Sequence, residues 1–142
     1  MIEPATEHDL PAIHALLERL HLPLAGVAEH LPTMLVARES GEMVGTAALE
    51  LYADGALLRS VAVEPRRQGS RLGHQLTDAA LQLAMTRGAS AVFLLTTTAE
   101  RFFPKFGFEQ IGREQVPESV RRSVEFRSAC PASAIVMRKQ LR

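Results

Sequence analysis

The residue pattern predicts an α/β (α+β) domain in which a mixed, mostly antiparallel central sheet of about seven strands is flanked by about four helices. Two amphipathic runs of helical period and several short apolar runs bounded by turn residues point to that class. A third observation is the run Ala56 to Glu64, apolar within apart from Arg59 and Ser60, as expected of a central strand buried on both faces. The predicted order is β-α-α-β-β-β-α-β-α-β-β. A length of 142 residues, with no internal repeat or linker-like tract, fits a single domain spanning 1–142.

Thr6 followed by Asp9 resembles a capping box, and Leu10, Ile13, Leu16, Leu17 and Leu20 recur at helical spacing, so a first helix is expected over about Glu7 to Leu20. Prolines and a glycine punctuate His21 to Pro32 and leave room for a short second helix only. Met34 to Arg38 and Met43 to Tyr52, joined by Glu39-Ser40-Gly41-Glu42, read as antiparallel strands. Asp54-Gly55 turns the chain into the Ala56 to Glu64 strand, which Pro65 ends. From Ser70 onward, Leu72, Leu76, Ala79, Ala80 and Leu83 mark the longest helix, and Arg87-Gly88 supplies its stop. Ala91 to Thr97 is a further buried strand. A short helix around Ala99 to Phe106 follows, disturbed by Pro104, and Phe108 to Arg113 and Ser133 to Arg138 close the sheet.

Charge and cysteine content exclude several classes of function. Sixteen Lys+Arg against sixteen Asp+Glu leave a net charge of zero, which is neither a nucleic-acid footprint nor a basic membrane-surface helix. The lone Cys130 cannot build an intramolecular disulfide framework, so a reducing, cytoplasmic setting is expected. The first residues lack the plan of a secretory signal, and no apolar run approaches the ~18 residues that would span a bilayer. His8, His14, His21, His30 and His74 show no tight ligand spacing, so no metal is expected.

The run from Val61 to Gly73 joins a buried strand to a helix start through a basic, glycine-containing turn. Unpaired amides at a helix N-terminus point outward together, and the helix dipole favours negative charge there, so such a turn is suited to an anion such as pyrophosphate. An ordinary turn with a solvated arginine pair reads the same way locally.

This run resembles the acetyl-CoA-binding motif of GNAT acetyltransferases, Gln/Arg-x-x-Gly-x-Gly/Ala after a strand reading V-A-V-x-P. The opening I-E-P-A-T-E-H-D-L-P-A-I and the segment A-E-R-F-F-P-K-F-G-F-E extend the likeness over the chain. A-L-L-R-S-V-A-V, L-L-T-T-T-A and F-R-S-A-C-P-A-S-A together look like the ArsN-type branch, associated with arsenic resistance. The last segment is also similar to the tail of small N-acetylglutamate synthases.

The resemblance implies acetyl-CoA as co-substrate. Gln68, Gly69, Ser70, Arg71, Leu72 and Gly73 would wrap the pyrophosphate, with Arg67 and Phe103 also on the coenzyme side. Val61, Ala62 and Val63 would run along the pantetheine arm, with Val63 pairing its backbone to it and the Val61 N–H polarising the acetyl carbonyl. Two departures stand out. Arg71 replaces the motif's middle glycine, with the expectation that a first-turn residue need not have positive φ. Phe103 stands where many relatives place a Tyr that protonates the leaving thiolate. The strand position at which some protein-acetylating relatives carry Glu is Leu57.

For the acceptor, a small and anionic amine, Glu50 and Tyr52 are the candidates to remove the proton. A charged residue in an apolar central strand must be paired, so Arg59 is read either as the anchor of an acceptor anion or as half of an internal ion pair with Glu50 or Glu64. Residues 59 and 61 would then project to the same strand face. Ser60, Arg127 and Ser128 could complete an oxyanion site from strand and loop. The implied reaction is N-acetylation of an amino acid or an arsenic-containing glutamate analogue. Glutamate N-acetylation for arginine biosynthesis and a silent acyl-CoA-binding module are the alternatives. A homodimer through an apolar surface near Ala134 to Met137 is also expected.

Overall fold

In the computed structural model, which describes residues 1–141, seven strands form one sheet. They are β1 (Ile2–Pro4), β2 (Met34–Glu39), β3 (Glu42–Tyr52), β4 (Gly55–Val63), β5 (Ala91–Thr96), β6 (Glu109–Ile111) and β7 (Ile135–Gln140). Their order is β1-β2-β3-β4-β5-β7-β6. All neighbours are antiparallel except β4 and β5, which are parallel. That parallel pair needs a crossover, and helix α2 (Leu72–Thr86) supplies it. Helix α1 (Leu10–Arg19) follows β1, and a short α3 (Glu118–Arg121) lies between β6 and β7.

Local chemistry explains the boundaries. Ser40 and Gly41 both have positive φ, 51° and 80°, the backbone that matches a two-residue hairpin between β2 and β3 to strand twist. The Asp9 carboxylate accepts the Thr6 amide at 2.8 Å, and a 3₁₀ turn at Glu7–Asp9 leads into α1. Asp9 also takes Arg38 Nη2 at 2.6 Å, and this bond to the guanidinium holds its carboxyl below the usual range. The α1 start is thereby tied to β2. Gly88, at φ 81°, ends α2.

Apolar residues divide between the two faces of the sheet. On one, Leu72, Leu76, Ala80 and Ala84 of α2 pack on Val44, Leu49, Leu58 and Leu94. On the other, Ile13, Leu16 and Leu17 of α1 cover Met34, Val36, Ala48 and Ala62. Further along the sheet, Val120 of α3 joins Leu57, Phe93 and Val136.

The register between β3 and β4 slips once. Thr46 faces Ala62 and Ala48 faces Arg59, so Ser60 and Val61 together oppose Ala47. This is a β-bulge, and Ser60 carries its positive φ of 57°. One extra residue reverses the alternation of β4. Leu57 and Arg59 point away from α2, whereas Val61 packs in the cluster beneath it. The expectation that 59 and 61 share a face is corrected for that reason.

Three other expectations change. The helix around Ala99 to Phe106 contracts to a 3₁₀ turn at Phe103–Phe106, because Pro104 cannot donate within a helix. The segment F-R-S-A-C-P-A-S-A, expected to be extended or looped, begins inside a π-type turn at Glu125–Ala129. The apolar surface expected for dimerisation is interior: β7 pairs with β5 on one side and β6 on the other, and Ala134, Val136 and Met137 are buried.

Gly45 tests the packing of α2 on the sheet. A Cβ there would lie 2.7 Å from Leu76 Cδ1 and 3.0 Å from the Ala62 carbonyl oxygen. Gly45→Val should therefore lower the urea-unfolding free energy by about 1–3 kcal/mol, the usual cost of overpacking.

Candidate active site

Strands β4 and β5 pair only at Ala56↔Val92 and Leu57↔Phe93. Beyond those residues they separate, and a cavity of ≈ 860 Å³ opens between them. Leu58 to Val61 and Val63 form one wall and Leu94 to Thr96 the other. Ser60 and Val61 have no register partner on either neighbouring strand. The cavity therefore has a stretch of strand backbone as one side, open to an extended ligand.

The turn into α2 closes one end. A 3₁₀ turn at Pro65–Arg67 leads to Gly69 at φ 86° and Arg71 at φ 70° before Leu72 opens the helix. The Ser70 amide is taken by the Arg67 carbonyl, and the Gln75 amide by Arg71. Among the described residues, the amides of Gly69, Arg71, Leu72, Gly73 and His74 have no hydrogen-bond acceptor. Several donors thus meet the positive end of a fifteen-residue helix. Arg66 and Arg67 are anchored on Glu42 and Glu39, at 3.1 and 2.6 Å, while Arg71 has no carboxylate within 4 Å among the described residues. The expectation that Arg71 avoids positive φ is corrected. The residue is the left-handed cap before α2, where a side chain costs about 1–2 kcal/mol relative to glycine.

Val61, Val63, Arg67, Gln68, Gly69, Arg71, Gly73 and Phe103 line the cavity. Ala62 faces the α1 side, Leu72 is buried beneath its helix, and Ser70 is exposed, so their side chains do not. Phe103 is held edge-on between Phe102 and Phe108, with ring centroids 5.1 and 5.8 Å away.

At the opposite end a buried charged cluster meets the cavity. The fully buried Arg59 side chain donates from Nη1 to Glu50 Oε2 at 2.9 Å, from Nη2 to the Pro23 carbonyl at 3.1 Å and from Nε to Ser60 Oγ at 3.1 Å. Glu125 Oε2 lies 3.4 Å from Nε. The internal partner of Arg59 is Glu50, whereas Glu64 pairs with Arg19 at 2.6 Å. Glu50 is 1% exposed and also accepts from the Tyr52 hydroxyl, with His30 Nε2 3.5 Å away. Neither Glu50 nor Tyr52 lines the cavity; they connect to it through Arg59. Arg127 and Ser128 are exposed and lie outside the lining, whereas Arg59 and Ser60 belong to it.

Sequence reasoning did not single out Glu125, which lines the cavity on the π-type turn. Burial pushes its pKa up to about 7, with Arg59 pulling it down and Glu50 adding to the rise. Cys130 lines the cavity too. Burial first, and then the neighbouring Glu125 charge, push its thiol up to about 12, so it remains a protonated donor toward Glu125. Burial and the bond to Glu50 also raise Tyr52. Among the described residues, no group of three or more His, Cys, Asp or Glu could hold a metal ion, and no helix is long and apolar enough to cross a membrane.

Known proteins place this cleft in a family context. The model of the GNAT acetyltransferase domain matches residues 30–110. An amino-acid acetyltransferase of Mycobacterium tuberculosis is 33% identical over 121 residues, covering 78% of this chain and 69% of that protein. One of Neisseria meningitidis is 27% identical over 147 residues, covering 97% of this chain, which spans only 33% of that relative. A Mycobacterium tuberculosis protein solved in complex with CoA superposes with a TM-score of 0.85 at 27% identity, covering 100% of this chain and 99% of that one.

The charged cluster makes a distinctive stability prediction. Arg59→Ala leaves Glu50 and Glu125 buried without their cation, which should cost about 3–5 kcal/mol near pH 8. Protonation relieves orphaned carboxylates, so the penalty should shrink at pH 5. Urea unfolding of both proteins at the two pH values measures the difference.

Proposed function

The chain belongs to the GNAT acetyltransferase family, and from that premise we propose that it transfers the acetyl group of acetyl-CoA to the α-amine of a small amino acid. One observation carries the reading: the cleft between β4 and β5 runs from a row of unpaired helix-start amides, past unpaired strand backbone, to a single buried carboxylate. In this reading the amides of Gly69 and Arg71 to His74 receive the pyrophosphate, and the backbone at Val63 adds the pantetheine arm as a further strand. The Val61 N–H then faces the thioester oxygen, where negative charge develops as the amine attacks. Arg71 contributes an unneutralised guanidinium at the phosphate end.

An amino-acid acceptor is supported by the amino-acid acetyltransferases among the relatives and by the likeness of F-R-S-A-C-P-A-S-A to N-acetylglutamate synthase tails. Within that class we place glutamate and its arsenic-containing analogue, the latter on the ArsN-like segments that surround Arg59. An acceptor carboxylate would approach Arg59 on its Nε side, where Ser60 Oγ accepts the N–H at 3.1 Å and Glu125 lies at 3.4 Å, the longest of the contacts around that guanidinium. A silent acyl-CoA-binding module is the competing reading, because Leu57 and Phe103 stand where some relatives place an acid and a tyrosine.

Thiol release from acetyl-CoA across an amino-acid panel, with glutamate and the arsenical analogue included, separates the two. Acceptor-dependent release supports the transferase, and binding without turnover supports the silent module. The coenzyme site has its own test at Gly73. A Cβ there meets Val63 Cγ2 at 3.5 Å and Phe102 Cζ at 3.7 Å, which is ordinary contact, so Gly73→Ala should keep its affinity for acetyl-CoA. Gly73→Leu extends into the cleft and should weaken binding at least about tenfold, or about 1.4 kcal/mol, by calorimetry.

A further inference from the structure

We propose that Glu125 is the base that takes the proton from the acceptor's ammonium group, an inference that rests on the transferase reading above. Among the described residues Glu125 is the only carboxylate in the cavity lining; of the lining cations, Arg67, Arg71 and Lys105 belong to the turn before α2 and to the 3₁₀ turn after β5, while Arg59, beside Glu125, is already paired with Glu50. The cleft is therefore polar along its length. Anionic phosphates suit one end, and an ammonium suits the other.

The charge count around Glu125 explains why it accepts a proton. From β4, Arg59 brings one positive charge and Ser60 a hydroxyl; from β3, Glu50 brings a second negative charge and Tyr52 a bonded phenol. Cys130, a neutral donor, lies on the same turn, and His30 reaches only Glu50. With Glu50 and Glu125 both ionised, one guanidinium is shared by two buried carboxylates. A proton on Glu125 leaves Arg59 and Glu50 as a neutral pair, so uptake is favoured by its surroundings. Burial brings the midpoint to about 7, where a base is both ionised in good fraction and strong enough to act.

The chemistry balances without another reagent. The Glu125 carboxylate removes one proton from R–NH₃⁺, and the freed nitrogen lone pair attacks the thioester carbonyl carbon. As the C–S bond breaks, the electron pair leaves on sulfur, and the second nitrogen proton neutralises that thiolate. Glu125 then returns its proton to solvent. Rival bases in the lining are less suited. The Cys130 thiol is held protonated, and His74 packs on the Phe106 ring at 4.5 Å and sits by Asp78 at the helix start. His21, just after α1, is exposed, whereas Glu125 is buried beside Arg59.

The test compares the wild type with Glu125→Gln, Glu125→Asp and His21→Asn, using acetyl-CoA and whichever amino acid the panel accepts. Glu125→Gln should lose about 10²–10⁴-fold in kcat, bind acetyl-CoA within about twofold of the wild type, and lack the acid limb of the kcat–pH profile near pH 7. Glu125→Asp should recover part of the rate. Retention of kcat or of the acid limb in Glu125→Gln overturns the proposal, as does transfer of both effects to His21→Asn. If Glu125→Gln does not fold, wild-type profiles with acceptors of different amine pKa decide. A limb fixed near 7 supports Glu125, and a limb that follows the acceptor amine overturns it. Absence of acceptor-dependent thiol release by the wild type refutes the transferase reading and this one together, and it is distinguished by being read before any variant.

Discussion

An extra residue in β4 organises the site. Up to Leu57 the strand has a neighbour on both sides; from there on it keeps β3 and loses β5. The bulge at Ser60 and Val61 bends the strand at the place where that partner is lost. Backbone groups without partners are costly inside a protein and are found where solvent or a ligand can reach them. The cleft satisfies that requirement by opening beside Val61 rather than burying it. The reversed alternation then separates two tasks. Val61 and Val63 turn their side chains toward α2, while Arg59 enters the opposite layer and organises charge there.

Burying Arg59 is affordable only because four groups from separate parts of the chain converge on it. Glu50 comes from β3, Ser60 from the bulge, Pro23 from the loop after α1 and Glu125 from the turn before β7. Gly26 shows how closely that loop approaches. A Cβ there would lie 2.9 Å from Arg59 Nη1 and 3.0 Å from Val124 Cγ1, and its φ is 85°. The guanidinium is thus a bolt through the far layer. A polar cluster of this kind constrains geometry more than it adds net stability, since desolvation offsets much of the attraction. Holding Glu125 at the cavity wall is its structural consequence.

Much of this architecture was legible in the chain. Helical spacing marked α1 and α2, the Ser40-Gly41 and Asp54-Gly55 turns marked the β2 to β4 meander, and an arginine in an apolar strand marked Arg59 as paired. All of these are local signals or follow from the cost of burying charge. What stayed hidden depends on contacts distant in sequence. Glu125 lies 66 positions after Arg59, as the residue numbers show, and nothing in V-E-F-R-S distinguishes it from a surface glutamate. The bulge was hidden as well, because Arg59-Ser60 looks like a polar interruption rather than a change of phase. Arg127 and Ser128 attracted attention through their donors, yet the π-type turn aims them at solvent.

Arg71 shows how local strain and electrostatics combine at the other end. A non-glycine residue at φ 70° is disfavoured, and Gly69 at φ 86° shares the burden of reversing the chain before α2. The two left-handed residues flank Ser70, whose amide is taken by the Arg67 carbonyl, and leave the Gly69 and Arg71 amides without an acceptor among the described residues, next to the free first amides of the helix. A glycine at 71 would relax the backbone but remove the one guanidinium of this turn that, among the described residues, no carboxylate neutralises, since Arg66 and Arg67 are held by Glu42 and Glu39. The strained arginine thus leaves positive charge at the mouth in a chain whose net charge is zero. Steering an anion toward the amides requires such a local excess, and the acidic surplus around Arg59 lies at the far end of the same cleft, where it opposes that attraction least.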